Sequence, residues 1–486
     1  MFLGIDIGTS SVKTVLLDTD DQLIGQGSAP LAVSHPQPGF SEQDPESWWQ
    51  ATVAAVGQLP PAARARVRAV GLSGQMHGAT LVDRDGGALR PAILWNDGRS
   101  SAECHELERR VPRARAITGN LVMPGFTAPK LLWVARHEPE IFARTASVLL
   151  PKDFVRLRLT GERISDLSDA SGTAWLDVAR RDWSDEMLAA TGLDRSHMPR
   201  LVEGSTAGGT LTQGAAERLG VPRVLVAGGG GDNAASAVGA GVVRPGQAFL
   251  SLGTSGVLFV VTDRFRPNPD KAAHAFCHCL PGLWHQMAVL LSASSALDWV
   301  AGVLGERDAG ALVECARAHG LKRGAPFFLP YLSGERTPHN DPASRGVFFG
   351  LSAQTAPVDL ALAVLEGVAL AFADGLDVLL EGGGALEEIA VTGGGARLPY
   401  WGELLAAALN RPLAYRQGGE LSAAIGAARL GRLALGGSSV EEVSRMPPLL
   451  RVVEPDAALA RLLGERRRLF TRLYRDLRQS FMEFSQ

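Results

Sequence analysis

One strand–turn–strand pattern occurs twice in this chain, about half its length apart. In FLGIDIGTSSVKTVLLD, residues 2–7 read as an apolar strand and Gly8-Thr9-Ser10 as a small polar turn. Residues 12–17 are the return strand, and 18–21 the next turn. In GQAFLSLGTSGVLFVV the order recurs: strand 249–252, turn Gly253-Thr254-Ser255, return strand 257–261. A repeat is weighed before any other motif, because it decides the architecture. Gly-Thr-Ser alone is a common turn. With matching strands on both sides, the pattern reads as a duplication: two related domains, each offering one loop to a shared cleft.

Between and beyond the hairpins, strands alternate with helices, which gives an α/β class. Residues 67–72, 79–83, 92–95 and 223–227 read as strands. Asp44-Pro45 opens a helix as N-cap and first residue. A long helix covers 358–380, followed by strand 388–392, a GGGA turn and helix 400–409. The end, 457–481, is a charged amphipathic helix. A domain boundary falls near 241–246, where glycine-rich sequence meets Arg244-Pro245-Gly246, and divides 1–243 from 244–486.

Composition narrows the function classes. With 486 residues, 46% of them hydrophobic and 20% charged, the chain can bury a large core. Its 48 basic and 51 acidic residues leave a net charge of −3, which recommends neither nucleic acid nor an anionic membrane as partner. MFLGIDIGTSS lacks the basic start of a signal peptide. Apolar runs such as MAVLLSASSALDWVAGVLG are broken by polar residues, so no membrane span is expected. Four cysteines make no disulfide framework for this length and fit a reducing cytoplasm. A homodimer is the default assembly on general grounds.

Glycine-rich turns follow apolar strands at Gly8, 228–231, Gly253 and 393–395. Glycine lets backbone N–H groups approach phosphate oxygens, and the adjacent hydroxyls add donors. None is a GxxxxGK[ST] loop. Asp6, two residues before the first turn, reads either as a strand-end cap or as the carboxylate that holds Mg²⁺ beside a phosphate. Lys13, on the return strand, reads as solvated. Asp232 follows four glycines and precedes Asn233 at the start of a helix. It reads as an N-cap or as a base at the mouth of a cleft. His77, between Met76 and Gly78 after a strand, reads as ligand-facing. Trp95-Asn96-Asp97-Gly98-Arg99 mixes the donors and acceptors that polyol hydroxyls need, or else forms an Asx turn with an incidental salt bridge. His274, Cys277, His278, Cys279 and His285 lack zinc spacing, since no CxxC pair occurs, and read as a half-buried strand.

These residues resemble the FGGY family of carbohydrate kinases, within the hexokinase–actin-like ATPase superfamily. The resemblance runs almost end to end. It includes GIDIGTSSVK at 4–13, SEQDPESWWQAT at 41–52, SGQMHGATL at 73–81, RPAILWNDGRS at 90–100 and ITGNLVMPGFTAPKLLWV at 117–134. It continues through LPKDFVRLRLTGE at 150–162, SDASGTAWLDV at 168–178, GGGGDNAASAVGAG, LSLGTSGV, FLPYLSGERTPHNDPASRGVFFGL at 328–351 and VTGGGAR at 391–397. One departure is Cys279, where alanine is expected. The MHG and GERTPHND motifs resemble the members of the family that act on D-xylulose.

The resemblance implies two ribonuclease-H-like (actin-like ATPase) domains flanking a deep cleft. It implies transfer of phosphate from ATP to the 5-hydroxyl of D-xylulose, in D-xylose catabolism feeding the pentose phosphate pathway. Carried over by residue, Asp232 is the catalytic base. Met76 and His77 are the substrate-binding pair; Trp95 and Asp97, read above as suited to polyol hydroxyls, and Asn233, beside the base, are the further sugar-site candidates. Thr9, Ser10, Gly253, Thr254 and Ser255 hold phosphates, and Gly393, Gly394 and Gly395 form the adenosine motif. Asp6 is associated with Mg²⁺. The alternatives are another family substrate, such as ribulose, gluconate or glycerol, and an actin-like structural or chaperone ATPase.

Overall fold

The computed structural model describes residues 1–306, 308–383, 386–417 and 421–484. The first hairpin pairs β1 (Phe2–Ile7) antiparallel with β2 (Ser11–Leu17), and β3 (Leu23–Pro30) extends it. β1 is a nearly continuous apolar run because both its faces are covered. On its other side lie β4 (Ala69–Gly74) and, beyond, β5 (Ala207–Thr210) and β6 (Leu225–Ala227). β4 and β6 run parallel, and β5 returns antiparallel on β6. A short strand, β7 (Gly230–Gly231), also pairs with β4. Register sets Asp6 opposite Ser73, and Ser73 opposite Gly230. The strand ends carrying Asp6, the 75–77 loop and the 228–231 glycines therefore emerge together, where open α/β sheets bind ligands.

The second sheet contains β8 (Gln247–Leu252), β9 (Gly256–Thr262), β10 (His274–Cys277), β11 (Trp284–Leu290), β12 (Glu388–Thr392), β13 (Leu413–Arg416) and β14 (Leu449–Val453). Its order is β10-β11-β9-β8-β12-β13-β14, against β3-β2-β1-β4-β6-β5 in the first. From β11 onward the two orders match strand for strand, in parallel and antiparallel sense alike. The repeated hairpin belongs to a repeated sheet. This is the mixed α/β ribonuclease-H-like arrangement expected of the chain.

The main helices are α1 (Pro45–Gly57), α2 (Thr127–His137), α3 (Asp232–Ala240), α4 (Ser294–Val303), α5 (Pro357–Leu380), α6 (Ser422–Ala434) and α7 (Ala457–Phe484). Asp44 caps α1 by accepting from Glu46 N–H. α3 leaves the first sheet after β7, and α6 leaves the second after β13. The two pack on each other at glycines. A Cβ on Gly426 would lie 1.8 Å from the Ala235 carbonyl oxygen, and one on Gly239 would lie 1.9 Å from that of Ser422. α6 also lies on the first sheet, close enough that Gly4 and Gly71 face the carbonyls of Ala424 and Ala427.

The halves share apolar core as well. One buried cluster joins Met76 and Phe126 to Phe259, Phe276 and Met287. At the edge strand β10, Asn120 Oδ1 accepts from Ala275 N–H and Asn120 Nδ2 donates to Ala275 carbonyl, while Ser171 Oγ accepts from Cys277 N–H. The 274–279 run is therefore fully buried, not half-buried. The first half covers the face that sequence alternation assigned to solvent.

Candidate active site

Asp232 is the first residue of α3, whose N-cap is Gly231. This corrects the N-cap reading by one position: with helical backbone, the carboxylate does not cap α3. Its Oδ1 accepts from Asn233 N–H at 2.7 Å and Asn233 Nδ2 at 2.9 Å. Burial first, and then the Asp6 carboxylate, push the Asp232 carboxyl up to about 7. Burial likewise raises Asp6, against the pull of Ser73 and Lys13. Asp6 Oδ1 is buried and has no hydrogen-bond partner. Two carboxyls are thus held close enough to oppose each other's ionisation. A base near neutrality matches the proton-accepting task.

A buried ionic cluster fixes the turn beneath Asp232. Lys152 Nζ lies 2.6, 2.9 and 3.0 Å from carboxylate oxygens of Asp153, Asp166 and Asp169, all fully buried. Burial alone would depress the Lys152 ammonium. The three aspartates outweigh it and hold it above its ordinary range. Burial raises Asp169 well above the usual carboxylate range. Asp166 Oδ2 accepts from Ser168 N–H at 2.7 Å and from Ser168 Oγ at 2.5 Å. That Oγ accepts from Gly231 N–H at 3.1 Å. Arg156, also buried, donates to the carbonyls of Gly208, Ala227 and Gly228. Lys152 and Arg156 were not singled out from sequence: a Lys-Asp neighbour pair looks like ordinary surface charge until Asp166 and Asp169 fold onto it, and the carbonyls that Arg156 holds lie 52–72 residues away.

His77 has left-handed backbone, φ 71°. Its Nδ1–H donates to Gly172 carbonyl at 2.6 Å, which leaves Nε2 as an acceptor. Burial pushes the imidazole down to about 3, so it is neutral. The ring stacks on Phe126 at 4.9 Å. Met76 is buried against Gly231, where a Cβ would meet its Sδ at 2.9 Å. The His77 carbonyl accepts from Lys130 Nζ at 2.9 Å and Thr127 Oγ1 at 3.1 Å, and Lys130 Nζ also donates to Gly125 carbonyl at 2.7 Å. Burial pushes the Lys130 ammonium down to about 7. Replacing Lys130 by Met, near its size, is expected to raise the KM for sugar about tenfold, the cost of a hydrogen bond to a charged donor. Nucleotide affinity should hold. Equal losses for both ligands would show Lys130 to be general scaffolding.

Trp95 is 38% exposed, and its Nε1–H donates to Thr9 Oγ1 at 3.0 Å. Thr9 Oγ1 donates to Gln75 Oε1 at 2.9 Å. The first glycine turn, the WNDGR loop and the residue before Met76 therefore meet. Asp97 is a correction. Its Oδ1 accepts from Arg99 N–H and Nε–H, and its Oδ2 from Ser41 N–H at 2.6 Å and Arg99 Nη2 at 2.7 Å. It builds the Asx turn and salt bridge; it is a loop-holding residue, not a sugar-facing one.

In the second half, Gly253 carbonyl accepts from Ser294 N–H, and Thr254 carbonyl from Ala293 N–H, both at 2.9 Å. The start of α4 thus pins the second Gly-Thr-Ser turn. Gly393, φ 88°, packs on Leu252, where a Cβ would meet the carbonyl oxygen at 2.6 Å. Parallel pairing of Ser251 with Thr392 brings the two glycine loops side by side. A cavity of about 410 Å³ opens between the halves, lined by Asn233, Ser236, Ser251, Gly393, Gly394 and Lys13. The solvated reading of Lys13 is thereby corrected: the return strand aims it into the cavity. A larger cavity, about 780 Å³, lies between α5 and α7 and contains none of these residues.

Two duplicated α/β halves, with paired carboxyls and glycine loops at the C-terminal ends of their strands, define a phosphotransferase cleft. The chain belongs to the FGGY family of carbohydrate kinases: the family's N-terminal domain matches residues 1–239 and its C-terminal domain residues 248–435. It is 52% identical to the xylulose kinase of Escherichia coli strain K12 over 479 residues, 98% of this chain and 99% of that one. Among solved structures it resembles one described as a xyloylose kinase from Brucella ovis, with TM-score 0.95 and 49% identity, covering 98% of this chain and 99% of that one. The xylulose kinase of Rhodospirillum rubrum follows at TM-score 0.92 and 30% identity, covering 99% of each chain. Among the described residues, no helix is long and apolar enough to cross a membrane.

Proposed function

We propose that this chain transfers the γ-phosphoryl group of ATP to the 5-hydroxyl of D-xylulose, giving D-xylulose 5-phosphate and ADP. The observation that carries the reading is the near end-to-end 52% identity to a xylulose kinase, joined to a cleft that holds Asp232 beside Asp6. Residues 1–243 supply the sugar site, the first phosphate turn and the base. Residues 244–486 supply the second phosphate turn and the adenosine loop. We place the enzyme in the cytoplasm and take a homodimer as its default assembly.

Each residue then has a task. Asp232 accepts the proton of the attacking hydroxyl. His77 Nε2 accepts from a second sugar hydroxyl, with Trp95 and Asn233 alongside and Met76 packing beneath. The N–H groups of Thr9, Ser10 and 253–255 and the hydroxyls of Ser10, Thr254 and Ser255 donate to phosphate oxygens, while the Thr9 hydroxyl stays on Gln75; Gly393, Gly394 and Gly395 let the nucleotide lie close to backbone. Positioning and charge stabilisation dominate, because phosphoryl transfer has a loose transition state. A divalent cation fits at Asp6: a buried, unpartnered carboxylate oxygen beside a second carboxyl is the hard oxygen set that Mg²⁺ takes. When bound, Mg²⁺ would neutralise charge on the phosphates.

The test is ADP release measured over D-xylulose, ribulose, gluconate and glycerol. D-xylulose should give the highest kcat/KM. A preference for another sugar, or turnover indifferent to sugar, would replace this reading by one of the alternatives. In the same assay His77→Asn, which tolerates the left-handed backbone, should raise sugar KM while leaving nucleotide affinity unchanged.

A further inference from the structure

Between the halves, against the segment that runs into Phe126, lies a cavity of about 400 Å³ to which none of the roles above extends. Residues 121–124, Cys104 and the paired Glu108 and Arg115 line it from the first half, and Leu291, Glu335 and Arg336 from the second. Glu335 is only 2% exposed. Its Oε1 accepts from Leu291 N–H at 3.0 Å and from its neighbour Arg336 N–H at 2.7 Å. Its Oε2 is buried without a partner. Burial pushes this carboxyl up to about 8. The Arg336 side chain reaches His274 Nε2, at 3.5 Å, and makes no ion pair among the described residues. Buried polar atoms are normally satisfied, so an orphan on a residue in the wall of a cavity larger than a water points to a ligand.

The chemistry selects the class of ligand. A carboxyl beside a guanidinium offers donor and acceptor together. A cation would meet Arg336, and an anion would meet Glu335 wherever that carboxyl is ionised. A neutral chain carrying hydroxyls and a carbonyl satisfies both, and its C–H faces suit the wall at 121–124. Position selects the molecule. Residues 121–124 run on into Gly125, which Lys130 holds, and Phe126, which stacks on His77. The ring of His274, the partner of Arg336, lies 5.7 Å from that of Phe126.

We propose that this pocket receives the carbonyl-bearing end of the open-chain sugar whose far hydroxyl faces Asp232. Arg336 donates to the carbonyl oxygen, and Glu335 Oε2 pairs with the adjacent hydroxyl. These two are specificity-determining residues supplied by the second half, so the sugar is gripped from both sides. The proposal rests on the pentulose reading above.

The experiment compares kcat/KM for D-xylulose, 1-deoxy-D-xylulose, which lacks the hydroxyl beside the carbonyl, and xylitol, which lacks the carbonyl. In the wild-type chain each deletion should cost about tenfold or more, since a site built to pair a group rejects ligands lacking it. Arg336→Met should lower kcat/KM for D-xylulose about tenfold and collapse its preference over xylitol. Glu335→Gln keeps an acceptor for Leu291 and Arg336 and should shrink the preference over 1-deoxy-D-xylulose. Titration with a non-hydrolysable ATP analogue reports that each variant is folded. If Arg336→Met fails that control, Glu335→Gln decides. Wild-type preferences retained in a folded variant would overturn the proposal. No turnover of D-xylulose by the wild-type chain would instead overturn the function it rests on, and the proposal with it.

Discussion

Asp232→Asn is expected to lower sugar-dependent turnover by about 10²–10⁴, the usual loss for a general base, and to make the protein more stable. The two effects have one origin. Burial and Asp6 hold the Asp232 carboxyl up at about 7, against an unfolded value of roughly 3.9. A carboxyl raised on folding leaves the native state with more bound protons, so its contribution is favourable at low pH. That contribution fades as pH climbs from about 4 through about 7. In metal-free buffer the wild-type melting temperature should therefore decline over this window. The variant, with no charge to desolvate, should decline less and melt about 1–2 °C higher near pH 8, equivalent to about 1 kcal/mol after allowance for partial exposure. Retention of more than about a tenth of wild-type kcat, a barrier change under about 1.4 kcal/mol, would remove the base assignment. Parallel pH curves for the two proteins would remove its electrostatic basis.

The repeat was legible because a strand–turn–strand unit is written in about sixteen consecutive residues and needs no distant partner. Asp232 was legible for the same reason, as the residue between a glycine turn and a helix. Its cap role failed by one residue, because N-cap preference ranks residue types without fixing the helix start. Lys13 was misread because strand alternation tells which residues share a face, not whether that face meets solvent or a cleft. Asp97 carried two readings, and the deciding partner, Ser41, is 56 residues away. Lys130 and Arg156 gave no local signal, since backbone carbonyls satisfy them, and the Lys152–Asp153 neighbour pair gave none of burial, which comes only when Asp166 and Asp169 pack on it. The packing of α6 on the first sheet, from some 350 residues downstream of β4, was unreadable as topology. It did leave one trace: small residues four apart, Ala235 with Gly239 and Ser422 with Gly426, the spacing that lets two helices approach closely.

That trace yields the largest expected effect on stability. Gly426→Ala should cost about 3 kcal/mol, the upper end for overpacking, and lower the melting temperature by about 3–6 °C. The added Cβ would sit 1.8 Å from the Ala235 carbonyl oxygen and 3.0 Å from Gly239 N. Both are backbone atoms of α3, so no side chain can turn aside; the helices must separate. α3 cannot shift freely, because Gly231 N–H at its N-cap is held by Ser168. Asp232 follows that glycine, and Ala235 is one turn further on. Separation at the crossing should therefore displace the base relative to Asp6 and reduce kcat even at temperatures where the variant is fully folded. Gly464→Ala supplies the control. It is also a helical glycine, in α7, but its Cβ would meet nothing within 4 Å. There alanine should stabilise by about 0.5–1 kcal/mol through backbone entropy alone, with kcat unchanged. If Gly426→Ala melted like Gly464→Ala, the α3–α6 crossing would not be the close contact that joins the two halves beneath the base. A loss of stability with full kcat would separate the crossing from catalysis and leave the support of Asp232 to Asn233, Arg156 and the Lys152 cluster.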